Sequence, residues 1–302
     1  MNEVYTLADL ASRERLDAGH KKPARLAVIG HPVAHSASPR MHQPALDVAG
    51  VEARYVRIDI EPGQVAEAFA RMRALGFIGC NVTVPHKLDA MDACDEIHPN
   101  ARMLGAVNTI RFEEGATWGF NTDGPGFEMA IHEDFGVSLA SLTVAIIGAG
   151  GGAGQAIAAQ CCLVGVPRLV LVNRTVGKLG PLVDRLWTPT NRSEIIALAL
   201  DDPSLVEHTL HCDLIVNTSS IGLKAGDPSI LPGPCLRKQH LVYDTIYQPP
   251  VTPLLAKANV LGCQNTNGLS MLIHQGALAF QHWFSGIDPL PVMQAAMMDL
   301  RQ

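Results

Sequence analysis

Aromatic residues are scarce in this chain, basic residues are not in excess, and long hydrophobic runs are absent. Phe, Trp and Tyr make up 5% of the 302 residues, and 23 Lys and Arg stand against 29 Asp and Glu, for a formal net charge of −6. This balance excludes the basic footprint of a nucleic-acid-binding protein. No apolar stretch reaches the roughly 18 residues that a membrane span requires. We therefore expect neither nucleic acid nor a membrane as a partner.

Signals for export, disulfides and metal sites are also missing. The first 24 residues lack the apolar core of a secretory signal. The seven cysteines are an odd number and include no C-x-x-C pair, which argues against a disulfide framework and against a zinc site. These absences favour a cytoplasmic protein without a metal.

Glycine and a βαβ rhythm are present instead, with 27 glycines in the chain. Arg25–Gly30 is an apolar run typical of a buried strand, and Pro39–Ala49 is a plausible helix. Arg54–Ile60 alternates, which predicts a strand with Arg57 and Asp59 on a solvent-exposed face. The rhythm continues along the chain and predicts a mostly parallel sheet.

A glycine loop opens the second half of this pattern. Leu142–Ile147 is a predicted buried strand, Gly148–Gly154 reads GAGGGAG, and a predicted helix follows to about Val164. Strand, glycine loop and helix N-terminus together form the usual pyrophosphate site of dinucleotide-binding proteins. The third glycine of the G-x-G-x-x-G pattern would fall at Ala153.

The residues after the next predicted strand indicate which dinucleotide is bound. An NAD site usually has an acidic residue here, for the ribose 2′-hydroxyl. The chain instead has Asn173, Arg174 and Thr175, followed by Lys178. Because arginine pairs well with phosphate, this set favours the 2′-phosphate of NADP.

Polar residues also cluster in the first half of the chain. Ser36 and Ser38 would share a face in an extended segment, although Ser38 could equally cap the helix that follows. Lys87 lies at a predicted helix start, where the helix dipole disfavours a cation, which is mild support for a functional role. Asn108 and Asp123 lie near predicted strand ends, where ligands of open α/β sheets gather.

Together these segments resemble the shikimate dehydrogenase family, which includes the quinate/shikimate dehydrogenases. The resemblance runs from about residue 25 to residue 300. The motifs that carry it are HSASP (35–39), NVTVPHK (81–87), GAVNT (105–109), GFNTDGPG (119–126), GAGGGAG (148–154), NRT (173–175), YDTIYQP (243–249) and GLSMLIHQGA (268–277).

The resemblance implies a role for individual residues. It makes Lys87 and Asp123 the catalytic pair. The positions that match substrate contacts are Ser36, Ser38, Thr83, Asn108, Tyr247 and Gln275. The positions on the cofactor side are Gly148, Ala149, Gly150, Gly151, Asn173, Arg174, Thr175, Lys178 and Gly268.

The implied fold is α/β, with an N-terminal α/β substrate domain, a Rossmann-type dinucleotide-binding domain and C-terminal helices that return to the substrate domain. Residues 25–122 and 268–302 would form the substrate domain, residues 123–267 the NADP-binding domain, and residues 1–24 an N-terminal extension. The implied activity is the NADP-dependent, reversible reduction of 3-dehydroshikimate to shikimate in aromatic amino-acid (chorismate) biosynthesis. Since a neighbouring Asp123 carboxylate would favour protonated Lys87, the pair suits a general acid in ketone reduction.

The sequence departs from the family pattern at two places. The glycine loop carries one glycine more than the common GAGGA pattern, and Thr245 stands where the family often has a bulky residue against the nicotinamide. Two other readings stay open: an NAD(P)-dependent quinate/shikimate dehydrogenase, and a non-catalytic sensor of the shikimate family. The presence of both Lys87 and Asp123 argues against the sensor, and a homodimer is neither indicated nor excluded.

Overall fold

The computed structural model describes residues 4–187 and 192–301. The chain divides into two compact units, the first running to Thr122 and including Ile273–Asp299, the second comprising Asp123–Leu272. Among the described residues, no helix combines the length and the apolar character that crossing a bilayer requires.

A seven-stranded sheet forms the centre of the first unit. Its strands are β1 (Val4–Thr6), β2 (Ala24–Gly30), β3 (Arg54–Asp59), β4 (Gly79–Val82), β5 (Glu96–Ile97), β6 (Thr109–Glu113) and β7 (Ala116–Phe120). Their order across the sheet is β1-β3-β2-β4-β6-β7-β5. The pairs β4/β6 and β6/β7 are antiparallel, and the other pairs are parallel. The sheet is thus mostly parallel, as the βαβ rhythm predicts, with a hairpin that the rhythm does not predict.

The hairpin joins β6 to β7 through two residues. Glu113 pairs with Ala116, so Glu114 and Gly115 form the turn, with positive φ angles of 51° and 79°. Two consecutive residues with positive φ are typical of the tight turns whose twist matches that of the flanking strands. The turn brings Thr109 opposite Phe120 and so returns the chain to the carboxyl end of β4.

The helices of this part of the chain cover the sheet. They are α1 (Arg13–Asp17), α2 (Ser38–Val48), α3 (Val65–Ala74), α4 (Lys87–Asp92) and α5 (Pro99–Leu104). Their apolar faces and the inward residues of the sheet form one buried core, which includes Ile29, Ile58 and Phe69. This packing holds the carboxyl ends of β2 and β4 in fixed positions beneath the loops that follow them.

The N-terminal segment is part of this unit. Strand β1 pairs in parallel with β3, and Leu10 and Leu16 are fully buried in the core. A short 3-10 helix at Asp9–Ala11 and the helix α1 follow β1. The segment taken from the sequence as an extension therefore contributes a strand and core residues.

The second unit is a six-stranded, fully parallel sheet. Its helices are α6 (Asp123–Phe135), α7 (Gly152–Val164), α8 (Leu179–Leu186), α9 (Leu205–Leu210) and α10 (Pro253–Leu261), and its strands are β8 (Val144–Ile147), β9 (Arg168–Asn173), β10 (Glu194–Ala199), β11 (Leu214–Asn217), β12 (Leu241–Asp244) and β13 (Gln264–Asn267). The order β10-β9-β8-β11-β12-β13 starts in the centre and grows outward in both directions. This is the Rossmann order, with a ligand crevice where the direction of growth reverses, beside β8. The predicted fold class is confirmed.

Two last helices, α11 (Leu269–Trp283) and α12 (Leu290–Ala296), follow β13. From Ile273 onward the chain belongs to the first unit. There α11 packs on α2, and the ring centroids of Phe280 and Trp283 lie 6.4 and 5.4 Å from that of His42.

His42 makes the first unit sensitive to acid. Its ring is fully buried and stacks on Tyr55, with 4.4 Å between centroids and 4° between planes. Burial lowers the pKa of His42 from 6.5 to about 3. A histidine held neutral in the folded state stabilises the fold above pH 6.5, and this contribution is lost as the pH falls from 6.5 towards 3. Between pH 6 and pH 5, the loss from this one group is about 1 kcal/mol.

We expect His42→Phe to reduce the fall in unfolding free energy between pH 6 and pH 5 by about 1 kcal/mol. Phenylalanine keeps the aromatic stack and removes the titration. The measurement is urea denaturation at both pH values, with the exposed His35→Phe as the matched control. An unchanged pH dependence in His42→Phe would show that His42 is not held neutral in the fold.

Candidate functional site

The two predicted serines lie side by side after β2. Ser36 Oγ donates to Ser38 Oγ at 3.2 Å, and the Ser38 backbone N–H donates to Ser36 Oγ at 3.3 Å. Ser38 is the first residue of α2 and is buried, whereas Ser36 is partly exposed. The N-cap of that helix is Ala37, so Ser38 is not its capping residue. The two hydroxyls therefore form a pair that can bind a polar group.

Thr83, Lys87 and Asn108 lie together at the carboxyl end of β4. The Thr83 N–H donates to Ile29 O at 2.9 Å, and the Val82 N–H donates to Asn108 O at 2.8 Å. Lys87 begins α4, and its carbonyl accepts the N–H of Val107 at 3.1 Å. These backbone bonds fix all three predicted site residues relative to one another.

Asn108 is held by a buried hydrogen-bond cluster. Its Nδ2 donates to Thr122 Oγ1 at 3.0 Å, and its Oδ1 accepts from the Thr122 N–H at 2.8 Å and from Thr109 Oγ1 at 3.1 Å. Asn81 donates from Nδ2 to Thr109 Oγ1 at 3.3 Å. The sequence analysis did not single out Thr109, Thr122 or Asn81, although all three lie within or next to motifs that it quoted.

The remaining predicted residues of substrate and catalysis take different positions. Gln275 is half-buried on α11, in the part of that helix that packs on α2. Asp123 is the first residue of α6 and of the second unit, and it is buried. Tyr247 follows β12 in the second unit and is half-buried. The structure thus brings five of the predicted residues together around β2 and β4 in the first unit.

In the second unit, the glycine loop turns tightly after β8. The N–H groups of Gly148 and Ala149 donate to Val172 O at 2.8 and 3.1 Å, and the Gly151 N–H donates to Gly148 O at 3.0 Å. Gly148 has a φ of 90°, a conformation that favours glycine. Helix α7 then begins at Gly152, so its free N–H groups open at the carboxyl end of the central strand.

The third glycine of the loop is Gly154, and the assignment of that role to Ala153 was wrong. A Cβ at Gly154 would lie 2.6 Å from Gly148 O and 2.7 Å from Thr218 Oγ1, so only glycine allows this close approach of helix and strand. The additional glycine lengthens the loop by one residue and moves the packing position accordingly.

The loop is connected to the end of β9 and to α8. Asn173 accepts the Gly150 N–H at its Oδ1 at 3.3 Å and donates from Nδ2 to Thr175 O at 2.9 Å. On the other side, Gln155 Nε2 donates to Gly150 O at 3.1 Å, and Arg185 donates to Gln155 Oε1 at 2.9 Å. Sequence analysis did not identify Gln155 and Arg185, because a hydrogen bond between side chains of two helices, α7 and α8, produces no local sequence pattern.

The residues around this loop fit NADP. A Cβ at Gly150 would lie 2.9 Å from Asn173 Nδ2, so a bare backbone is required where a pyrophosphate would approach. Arg174 and Lys178 are exposed, and within the described part of the chain neither side chain has an ion pair or hydrogen bond. Two uncommitted cations next to the loop suit the 2′-phosphate.

A buried carboxylate orders the segment after β12. Asp244 accepts from Thr252 Oγ1 at 2.6 Å, from Asn217 Nδ2 at 3.0 Å and from the Ile246 N–H at 3.1 Å, while burial raises its pKa. Gly268 lies against the backbone of Thr245, whose carbonyl oxygen a Cβ would overlap. Thr245, Tyr247 and Gly268 therefore lie at the carboxyl ends of β12 and β13. The glycine loop follows β8, which is two strands from β12 in the sheet.

Comparison with known proteins places the chain in a family. A model of the shikimate dehydrogenase substrate binding domain matches residues 28–110, and a model of the shikimate 5′-dehydrogenase C-terminal domain matches residues 268–298. Shikimate dehydrogenase (NADP(+)) of Symbiobacterium thermophilum is 40% identical over 282 residues, which cover 90% of this chain and 93% of the relative. The chain belongs to the shikimate dehydrogenase family. The predicted family is thus confirmed.

Solved shikimate dehydrogenases share the fold. One, in complex with NADP+, has a TM-score of 0.82 and 35% identity and covers 92% of this chain and 95% of its own. The enzyme of Thermus thermophilus, in complex with NADP(H) and shikimate, has a TM-score of 0.79 and 33% identity, with coverage of 92% and 99%. A quinate dehydrogenase of Corynebacterium glutamicum in complex with NAD has a TM-score of 0.80 and 30% identity, with coverage of 91% and 98%. The fold alone therefore does not distinguish the two substrates or the two cofactors.

Proposed function

We propose that the protein is an NADP-dependent shikimate dehydrogenase, which reversibly reduces 3-dehydroshikimate to shikimate in aromatic amino-acid biosynthesis. The observation that carries this proposal is the cationic end of β9, where Arg174 and Lys178 stand in place of the acidic residue of an NAD site. The identity with curated NADP-dependent relatives supports the same cofactor and substrate.

The first unit supplies substrate binding in this proposal. Ser36, Ser38, Thr83, Asn108, Tyr247 and Gln275 would contact the polyol acid. Five of these residues lie in the first unit, and Tyr247 lies in the second. The substrate domain is proposed as residues 25–122 with 268–302, and the NADP-binding domain as residues 123–267. The match of the substrate-binding family model to residues 28–110 supports this division.

The chemistry requires a hydride at the ring carbon and a proton at the ketone oxygen. Bound NADPH would supply the hydride, held by Gly148, Ala149, Gly150, Gly151, Asn173, Arg174, Thr175, Lys178 and Gly268. Lys87 would donate the proton as a general acid, and Asp123 would share in the transfer. The carbonyl of Lys87 accepts the N–H of Val107, the residue before Asn108. The backbone positions of the proposed acid Lys87 and of the proposed substrate contact Asn108 are therefore set relative to each other before substrate binds.

The cytoplasm is the proposed location, and the seven free thiols support it. Disulfides are rare in that reducing compartment. Burial raises the pKa of Cys94 and Cys212 to about 12, so neither is a reactive thiolate at neutral pH.

A kinetic panel tests the proposal. Shikimate, quinate and aminoshikimate are each assayed with NADP and with NAD, and kcat/KM is compared. We expect shikimate with NADP to be at least about tenfold better than any other combination, since about 1.4 kcal/mol of selective binding gives that ratio. Preference for quinate with NAD would establish a catabolic quinate/shikimate dehydrogenase instead. No turnover in any combination would favour the non-catalytic sensor.

A further inference from the structure

Three neighbouring strands of the second unit end in the same way. Asn217, Asp244 and Asn267 are the last residues of β11, β12 and β13, and they stand opposite one another in the register of the parallel sheet. In each case the side-chain Oδ1 accepts the backbone N–H two residues further on, at 3.0, 3.1 and 3.1 Å in chain order. Each strand is therefore followed by an Asx turn, and we call the three residues the Asx row.

Asp244 is the central member of the Asx row and is bonded directly to one neighbour. Asn217 Nδ2 donates to Asp244 Oδ1 at 3.0 Å, and both residues are fully buried. On the other side, Asn267 Nδ2 donates to Pro250 O at 3.0 Å. Pro250 belongs to the segment between β12 and α10, residues 245–252, which we call the β12 loop. The row thus ties the β12 loop to the strands on both sides of β12.

Asp244 also fixes the β12 loop at both of its ends. Near the start of the loop its Oδ1 accepts the Ile246 N–H at 3.1 Å, and at the end its Oδ2 accepts from Thr252 Oγ1 at 2.6 Å. Thr252 in turn caps α10, because its Oγ1 accepts the Leu255 N–H at 3.3 Å. One buried carboxylate therefore determines the path of the whole loop, and without it these buried donors would lose their acceptor.

The other end of the Asx row lies against the glycine loop. A Cβ at Gly148 would lie 2.8 Å from the Ser219 nitrogen, so the turn that Asn217 closes packs directly on this glycine. Asn217 Oδ1 also accepts from Ser219 Oγ at 2.8 Å, which holds Ser219 in this position. Hydrogen bonds of Asn217 and Asp244 therefore extend without a break from the glycine loop to the β12 loop.

The place of the row in the sheet assigns it to one half of a dinucleotide. A Rossmann sheet has two mononucleotide-binding halves, and a dinucleotide lies across the crevice between them. The glycine loop and the cationic end of β9 belong to the half formed by β8, β9 and β10. The Asx row ends the strands of the other half, β11, β12 and β13, and so it lies on the side of the second nucleoside.

We propose that Asp244 is a positioning residue for the nicotinamide nucleoside of NADP. It acts through Asn217 and the β12 loop, and it orders both before the cofactor binds, so that binding does not require their ordering. The inference rests on the proposed function, because it takes NADP as the ligand.

Calorimetric titration with two ligands tests the proposal. NADP+ contains both nucleosides, whereas 2′-phospho-ADP contains the adenosine, its 2′-phosphate and both 5′-phosphates but no second nucleoside. We expect Asp244→Ala to raise the Kd for NADP+ about tenfold, as the loss of a buried hydrogen bond predicts. The Kd for 2′-phospho-ADP should not change. An unchanged Kd for NADP+ would overturn the proposal, and so would an equal loss for both ligands, which would indicate damage to the whole unit.

Asp244→Asn separates the hydrogen bonds of this residue from its charge. The amide oxygen can still accept from Asn217 and Ile246, and the amide N–H can donate to Thr252 Oγ1, because a hydroxyl accepts as well as donates. We therefore expect Asp244→Asn to bind NADP+ about as tightly as the wild type. Binding as weak as that of Asp244→Ala would overturn the proposal.

Asp213→Ala is the matched control. Asp213 Oδ2 accepts from Thr143 Oγ1 at 2.6 Å and from the Thr143 N–H at 2.9 Å, so it makes bonds of the same kind as Asp244. These bonds lie at the amino ends of β8 and β11, away from the crevice. Asp213→Ala should leave the Kd for both ligands unchanged.

The remaining outcomes are also decisive. If Asp244→Ala does not fold, Thr252→Val replaces it, since valine keeps the branched shape of threonine and lacks the hydroxyl. A raised Kd for NADP+ alone would then support the proposal, and an unchanged Kd for NADP+ would overturn it. Wild-type protein that binds NADP but turns over no substrate overturns the proposed activity alone, because the titrations need no turnover. Wild-type protein that binds neither NADP nor NAD overturns both.

Discussion

Lys87→Ala is expected to lower kcat about 100- to 10,000-fold, the usual contribution of a general acid. Lys87 is a half-buried residue whose backbone is held on both sides. Its carbonyl accepts from Val107, and the preceding His86 is buried, with Nε2 2.6 Å from Ile60 O. We therefore expect the substitution to lower kcat through the proton-transfer step and to leave the fold and the KM for NADP unchanged. Steady-state kinetics in both directions measure it.

The control and the companion variant sharpen this prediction. Lys22→Ala removes a lysine from the same unit that pairs with Asp47 at 3.0 Å, and it should leave kcat unchanged. Asp123→Asn should also lower kcat. If Lys87 and Asp123 act together in the same proton transfer, the kcat of the double variant should be about as low as that of the slower single variant. A Lys87→Ala enzyme with near wild-type kcat would refute the proposed acid.

Arg174→Ala should raise the KM for NADP about 10- to 100-fold, since charge-assisted hydrogen bonds contribute about 1.5–3 kcal/mol and each 1.4 kcal/mol is a factor of ten. The KM for NAD, which lacks the 2′-phosphate, should change little. The ratio of kcat/KM for the two cofactors measures this shift.

The control for Arg174 lies at the amino ends of the strands of the same sheet, whereas Arg174 lies at the carboxyl end of β9. Lys238 is exposed and precedes β12, at the amino end of the strands. Lys238→Ala should leave the cofactor ratio unchanged. An Arg174→Ala enzyme with an equal loss for NADP and NAD would indicate that Arg174 supports the loop and does not select the phosphate.

Local sequence patterns predicted those parts of the molecule whose cause is local. The run before Gly148 and the glycines after it predict a strand, a turn and a helix, and these elements form as expected because backbone conformation and burial act over neighbouring residues. The position of the third glycine was not predictable in this way. Which residue faces Thr218 depends on how the lengthened loop turns, and Gly154 takes that place.

The alternation of β3 shows the same limit for the site. A period of two identifies Arg57 and Asp59 as sharing a polar face, but it does not say whether water or another segment covers that face. Here the segment from His31 to Ser36 packs on it, and the contacts join residues about 20 to 30 positions apart.

Strand β1 has a further consequence for the segment that carries Ser36, because that segment is held by β3. Strand β3 pairs with β2 on one side and with β1 on the other. Strand β1 thus forms hydrogen bonds with backbone groups of β3 that would otherwise make β3 the edge strand of the sheet. An open border of this kind recruits strands from other molecules. Removal of β1 would thus expose β3 to neighbouring copies of the chain. Because Arg57 of β3 holds the carbonyl of Ser36, the same truncation would cause self-association and weaken substrate recognition.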